Sequence, residues 1–152
     1  MPEQSISADV DDCPYLYLRE IREPRDNNLA VILDEASVAP PGGHAPDMGS
    51  IFSEVRPIAL LPGSRSFELI WPTYVAYSVR NESFAQRGAN DVIVSGRSLL
   101  VYGSSEYLDL LRRTTWADAS FPGPLIHVGI LCLNHVIDVV AVGLPTVRQL
   151  PV

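Results

Sequence analysis

The chain predicts an α+β fold: a mainly antiparallel β-sheet of successive hairpins, with one amphipathic helix at about 104–115 packed on it. Three observations lead there. Short segments rich in β-branched and aromatic residues alternate apolar and polar side chains at period two. Clusters of Pro, Gly, Asn and Asp punctuate them. One window, SSEYLDLLRRTT, combines capping residues with apolar spacing suited to a helix.

MPEQSISADVDD, residues 1–12, has neither a basic n-region nor an apolar run, so it is expected to be a flexible acidic tail and not a secretory leader. Residues 13–152 then form a single domain, a size at which one core suffices. YLYLREIR and LAVILDEASV read as two strands around the turn EPRDNN, giving a first hairpin. APPGGHAPDMGS, residues 39–50, concentrates Pro and Gly and reads as a surface loop. IFSEVRPIALL and FELIWPTYVAYSVR flank PGSRS, where Pro62 and Gly63 suit the central positions of a type II turn, so a second hairpin is expected. Alternation in FELIWPTYVAYSVR puts Phe67, Leu69, Trp71, Thr73, Val75, Tyr77 and Val79 on one inward face. Pro57 and Pro72, lacking amide donors, belong at edges or irregular points. SLLVYG is a short strand leading into the helix. There Ser104 or Ser105 caps, Glu106 and Asp109 suit the positive end, and Arg112 and Arg113 the negative one.

The run LIHVGILCLNHVIDVVAVGL is nearly all apolar yet carries His127, Cys132, Asn134, His135 and Asp138. As a membrane span it would bear Asp138 near a helix centre, at about 2.5–3.5 kcal/mol, with two His and an Asn besides. A hairpin turning at Asn134–His135 fits better: one side then collects Ile126, Val128, Ile130, Cys132, Ile137, Val139 and Ala141, wholly apolar, and the other carries His127 and Asp138. The competing reading, a helix from Asn134, suffers from seven residues rich in Val and Ile.

Composition narrows the function classes. Hydrophobic residues make up 47% and charged residues 19%, too apolar for wholesale disorder. The net charge is -7, and such a surface repels phosphate backbones and anionic lipid, so neither nucleic acid nor a membrane is an expected partner. Two cysteines, Cys13 and Cys132, are too few for a disulfide framework, so a cytoplasmic location is expected.

Cys132-x-x-His135 is half of a zinc pattern, but only His44 and Cys13 remain as distant completions, so no metal and no cofactor is expected. Strand alternation places Cys132 and His135 on opposite faces, against a nucleophilic set with Asp138. No Walker loop, G-x-S-x-G, G-x-G-x-x-G or H-E-x-x-H occurs. VRNESF gathers Arg80, Asn81, Glu82 and Ser83 at a strand end, where a site can sit if His127 converges on it.

The runs FELIWPTYVAYSVRNESF, SLLVYGSSEYLDLL and PLIHVGILCLNHVIDVV resemble segments of an uncharacterised family of small bacterial cytosolic proteins, over roughly the second two thirds of the chain. That resemblance implies a bacterial cytosolic protein and carries no activity or site. The leading expectation is a non-enzymatic, acidic protein-binding domain, an immunity-type inhibitor of a bacterial toxin. Asp34, Glu35, Glu54 and Glu68 are its candidate contacts to a basic target. The alternative is a small hydrolase or transferase with its site near Arg80–Ser83 and His127.

Overall fold

In the computed structural model, which describes residues 5–40 and 57–152, the first hairpin forms as expected from Tyr15–Arg22 (β1) and Leu29–Val38 (β2). Its register runs from Tyr15↔Ala36 to Arg22↔Ala30, with a bulge between Leu18 and Glu20. Asn27 takes φ 61° in the turn, a conformation Asn tolerates better than most residues. Glu54, His44 and most of the Pro/Gly loop lie outside the described residues.

The second hairpin does not form. Ile58–Ala59 (β3) and Ser66–Trp71 (β4) both pair antiparallel with β2, so they run in the same direction and cannot be each other's hairpin arms. The type II turn between them is nonetheless present: Ser64 N–H donates to Leu61 C=O, and Gly63 has φ +83°. Thr146–Gln149 (β10) completes the sheet on the far side of β4, giving the order β1-β2-β4-β10.

Residues 5–12 depart from the expected flexible tail. Ala8–Asp12 form a short helix (α1) capped by Ser7, with Val10 buried in the core. Asp11 fixes it further: its carboxylate accepts from the amides of Arg97, Ser98 and Leu99 at 3.1, 2.8 and 3.0 Å. The acidic character that suggested a solvated tail is here an anchor for the turn between Ser95 and Leu99.

FELIWPTYVAYSVR is two strands, not one. Pro72 ends β4, and Ala76–Asn81 (β5) belongs to a second sheet. Phe67, Leu69, Trp71 and Tyr77 keep the expected inward face, whereas Val75 packs on the opposite side of the second sheet and Val79 is exposed. A 3-10 turn at Glu82–Phe84 leads to Val92–Ser95 (β6), Leu99–Ser104 (β7), the helix Glu106–Thr114 (α2), Ile126–Leu131 (β8) and His135–Ala141 (β9). The order is β5-β9-β8-β7-β6.

The apolar run is a hairpin, and residues 134–142 are not helical. Its turn sits one residue earlier than the sequence suggests: Cys132 N–H donates to His135 C=O, leaving Leu133 and Asn134 as the loop. The cause is the edge of β1. Leu133 N–H donates to Leu16 C=O, while the Asn134 side chain accepts from Leu18 N–H and donates to Leu18 C=O, each at 3.0 Å. Asn134 thus stands in for a neighbouring strand and ties the second sheet to the first.

The parity of the faces survives this shift. Val128, Ile130, Cys132, Ile137, Val139 and Ala141 join Leu29, Val31, Leu33, Phe67, Leu69 and Trp71 in one apolar cluster between the sheets. On the other face of the second sheet, Leu108 and Leu111 of α2 pack on Val140. Among the described residues the layers are therefore sheet, core, sheet and helix, with α2 on the second sheet. Among the described residues no helix is long and apolar enough to cross a membrane.

Candidate functional site

On the outer face of the first sheet the even-numbered residues of β2 and β4 point away from the core. There Asp34 accepts two bonds from the Arg19 guanidinium and one from Ser66 Oγ at 2.6 Å. Glu68 is clamped from both sides, by Arg22 at 2.9 Å and by Arg148 at 2.7 Å. Arg22 lies on β1 and Glu68 on β4, so the arginine reaches across β2 to make this pair.

The carboxylates are covered while the guanidinium ends remain half-exposed or more, an arrangement in which long side chains shelter what lies beneath them. For Glu68 the Arg148 hydrogen bond outweighs burial and holds its pKa below the usual range. Burial pushes Asp34 upward, but bonds from Arg19 and Ser66 and the Arg19 charge together bring its pKa below the ordinary value.

Glu35, at the opposite parity, is held by Arg65 at 2.7 Å, and that bond lowers its pKa. The sequence-derived contacts Asp34, Glu35 and Glu68 are thus all engaged inside the chain. This face offers Arg19, Arg22 and Arg148 to solvent, beside the exposed Tyr15, Tyr17 and Glu20. No local pattern points to this exchange, because β1 and β4 are not neighbours and the Arg–Glu pairs span 46 and 80 residues.

A second polar assembly lies under α2. Ser105, its N-cap, accepts from Leu108 N–H at 3.0 Å, and Ser105 Oγ is 2.7 Å from His127 Nδ1. His127 Nε2 is 2.7 Å from Asp138 Oδ1, and Asp138 Oδ2 accepts from Arg80 at 3.1 Å. Asp138, as Arg80's acceptor, takes the Nε2–H, which leaves Nδ1 to accept the Ser105 hydroxyl proton. Tyr102 stacks on the imidazole with centroids 4.1 Å apart, and the Tyr107 ring lies tilted to the same imidazole at 5.3 Å. Gly129 permits the stack: a Cβ there would come within 2.8 Å of Tyr102 Cε2.

This chain ends at a cleft of about 210 Å³ lined by Arg80, Arg87, Asp91, Tyr102, Glu106 and His127, among others. Arg80 and His127, two members of the polar cluster picked from the sequence, therefore do converge, through Asp138. Asn81 and Glu82 do not join them. Asn81 caps the 3-10 turn by accepting from Ser83 N–H, and Glu82 lines a different depression.

Ser105 is only 2% exposed and does not line the cleft; His127 is 1% exposed. Its hydroxyl is committed to a helix cap and an imidazole. Chemically the arrangement fastens α2 to the sheet.

Cys132 and His135, expected on opposite faces, are instead cross-strand partners at the turn. Burial pushes the Cys132 thiol up to about 12, and among the described residues His135 Nδ1 has no hydrogen-bond partner. Cys13 is likewise driven to about 12 by burial and by Glu35. Among the described residues no group of three or more His, Cys, Asp or Glu side chains could hold a metal ion. Comparison with protein-family models, with curated proteins and with solved structures finds no match for the chain.

Proposed function

We propose that the chain is a non-enzymatic protein-binding domain and, within that class, an immunity-type inhibitor that neutralises a bacterial toxin in the cytosol. The observation that supports binding is the outer face of the first sheet. Arg19, Arg22 and Arg148 are fixed there by covered carboxylates, beside two exposed tyrosines. Arg and Tyr are the residue types that anchor protein interfaces. A guanidinium already held by Asp34 or Glu68 loses less freedom on binding than a free one. The inhibitor reading rests on small size and the net charge of -7, a field that attracts a basic target from a distance. Close contact then falls to the arginine and tyrosine heads, which suit backbone carbonyls and carboxylates, while the acidic groups beneath set their geometry.

Co-expression with candidate toxin domains tests this. The wild-type chain should protect growth and retain the toxin at low salt. A Tyr15→Ala, Tyr17→Ala chain, changed only at exposed side chains, should remain folded but protect poorly. Absence of both protection and retention across the candidates would dismiss the inhibitor reading.

One observation favours a hydrolase instead: Ser105, His127 and Asp138 are connected in the order of a hydrolytic triad. Turnover of a nitrophenyl ester that disappears in Ser105→Ala would support that reading, and its absence would remove it.

A further inference from the structure

Residues 5–13 are fastened to the rest of the molecule at very few points. Pro14 holds Cys13 in extended backbone, φ -60° and ψ 130°, so α1 cannot run on into β1 and the two meet at a corner. α1 itself is five residues long, far below the length of about 12–15 at which a helix begins to hold itself in water. Its other hydrogen bonds stay inside the segment: Ser7 Oγ accepts from Val10 N–H, Asp11 N–H donates to Ser7 C=O, and Ser5 Oγ donates to Asp11 Oδ2. Among the described residues, two atoms carry the hydrogen bonds from this segment to the remainder of the chain. One is Asp11 Oδ1, which accepts the amides of Arg97, Ser98 and Leu99. The other is Cys13 Sγ, which faces Arg65 at 3.7 Å and Glu35. Apolar contact adds the buried Val10 and the half-buried Ile6.

We propose that residues 5–13 are a strap that swings away as a unit while both sheets remain folded, with the Asp11 carboxylate as its latch and the Cys13–Pro14 corner as its hinge. Local opening takes the most weakly attached element first, and this one is attached by a single carboxylate oxygen, a weak sulfur contact and two apolar side chains. Charge assists the opening. The strap carries Asp9, Asp11 and Asp12 on a chain whose net charge is -7. What it covers gives the motion a consequence. The Cys13 thiol donates to Asp9 C=O at 3.4 Å and is fully buried, so the closed strap seals it. Arg97 and Ser98, whose amides meet the latch, line a depression of about 240 Å³ together with Pro14, Leu16 and Cys132. Hinge and latch thus border the same depression, and lifting the strap extends it to Cys13 and the vacated seat of Val10.

Hydrogen exchange and thiol alkylation of the native full chain test the strap together. The amides of Arg97 and Ser98 report the latch, and iodoacetamide at about pH 8, near the ordinary thiol pKa, reports Cys13. The amide of Val139, in a strand paired on both sides, reports opening of the whole fold. In the wild type the latch amides and Cys13 should give one common opening constant, at least about tenfold larger than that of Val139 and nearly insensitive to low urea. Asp11→Ala should raise Cys13 alkylation at least about tenfold, the factor for losing one ordinary hydrogen bond. The wild-type comparison stands whether or not that variant folds. A Cys13 that opens only together with Val139 overturns the proposal, and so does a folded Asp11→Ala chain whose Cys13 reacts no faster.

Discussion

Glu68→Gln tests the buried carboxylate clamp on the first sheet. The substitution keeps the volume and removes the charge that Arg22 and Arg148 share. A glutamine amide can accept from one arginine, but its NH₂ group then faces the donors of the other. Hydrogen bonds to charged groups contribute about 1.5–3 kcal/mol each. Against that, the Arg22 and Arg148 side chains are 47% and 67% exposed and recover much of their hydration when released. The net loss should be about 1–3 kcal/mol, well above a surface ion pair and below a buried one broken outright. For a chain of this length that corresponds to about 3–10 °C in Tm.

The pH dependence gives a sharper test. The folded pKa of Glu68 lies below its ordinary value, so its stabilisation is fully present above the unfolded pKa and is lost as pH falls through the folded one. The difference between wild type and Glu68→Gln should therefore be largest near pH 7 and shrink on acidification below about pH 4. Urea unfolding followed by Trp71 fluorescence, in a Trp116→Phe background at a series of pH values, measures it. A difference under about 0.5 kcal/mol at pH 7, or one that grows in acid, would refute the clamp.

Other substitutions probe the remaining joints. Asn134→Ala removes both bonds to Leu18 and leaves two backbone groups of the β1 edge without partners, so urea titration should show a loss of about 2–4 kcal/mol. Ser105→Ala removes the α2 cap and the partner of His127 Nδ1, with an expected cost of about 2–4 kcal/mol and a drop in helical circular dichroism. Gly129→Ala forces Tyr102 off the imidazole, costing about 1–3 kcal/mol; the ring-current shift on His127 should collapse in NMR spectra. With Asp34, Glu35 and Glu68 all held below their ordinary pKa values, acid should unfold the chain progressively below about pH 4.5, visible as falling Tm across a pH series.

Period and punctuation in the sequence carry the first hairpin, the capped helix and the face partition of the C-terminal hairpin. Ile130, Ile137 and Val139 are core residues because alternation is a local property that survives a small slip of the turn. What alternation cannot carry is pairing between strands distant in sequence. Proline at position 72 signals an interruption, but nothing local tells that β4 and β5 part into different sheets. The turn moved to Leu133–Asn134 because the edge of β1, some 116 residues away, has a use for the Asn134 amide.

The candidate site follows the same division. His127 and Asp138 are legible as neighbours on one face of the hairpin. Their partners Ser105 and Arg80 come from a helix docked on that face and from β5, and depend on packing that no spacing encodes. Asp34, Glu35 and Glu68 stand out by charge alone, and charge does not say which arginine folds over them.

Binding rather than catalysis requires Ser105, His127 and Asp138 to be scaffold, and the reactivity of Ser105 decides that most directly. The native chain is treated with a serine-directed fluorophosphonate and weighed intact. The mass should remain unchanged, because the hydroxyl is buried under α2. A stoichiometric adduct on Ser105, lost in Asp138→Asn, would contradict the binding reading and make the cleft beside Arg80 an active site.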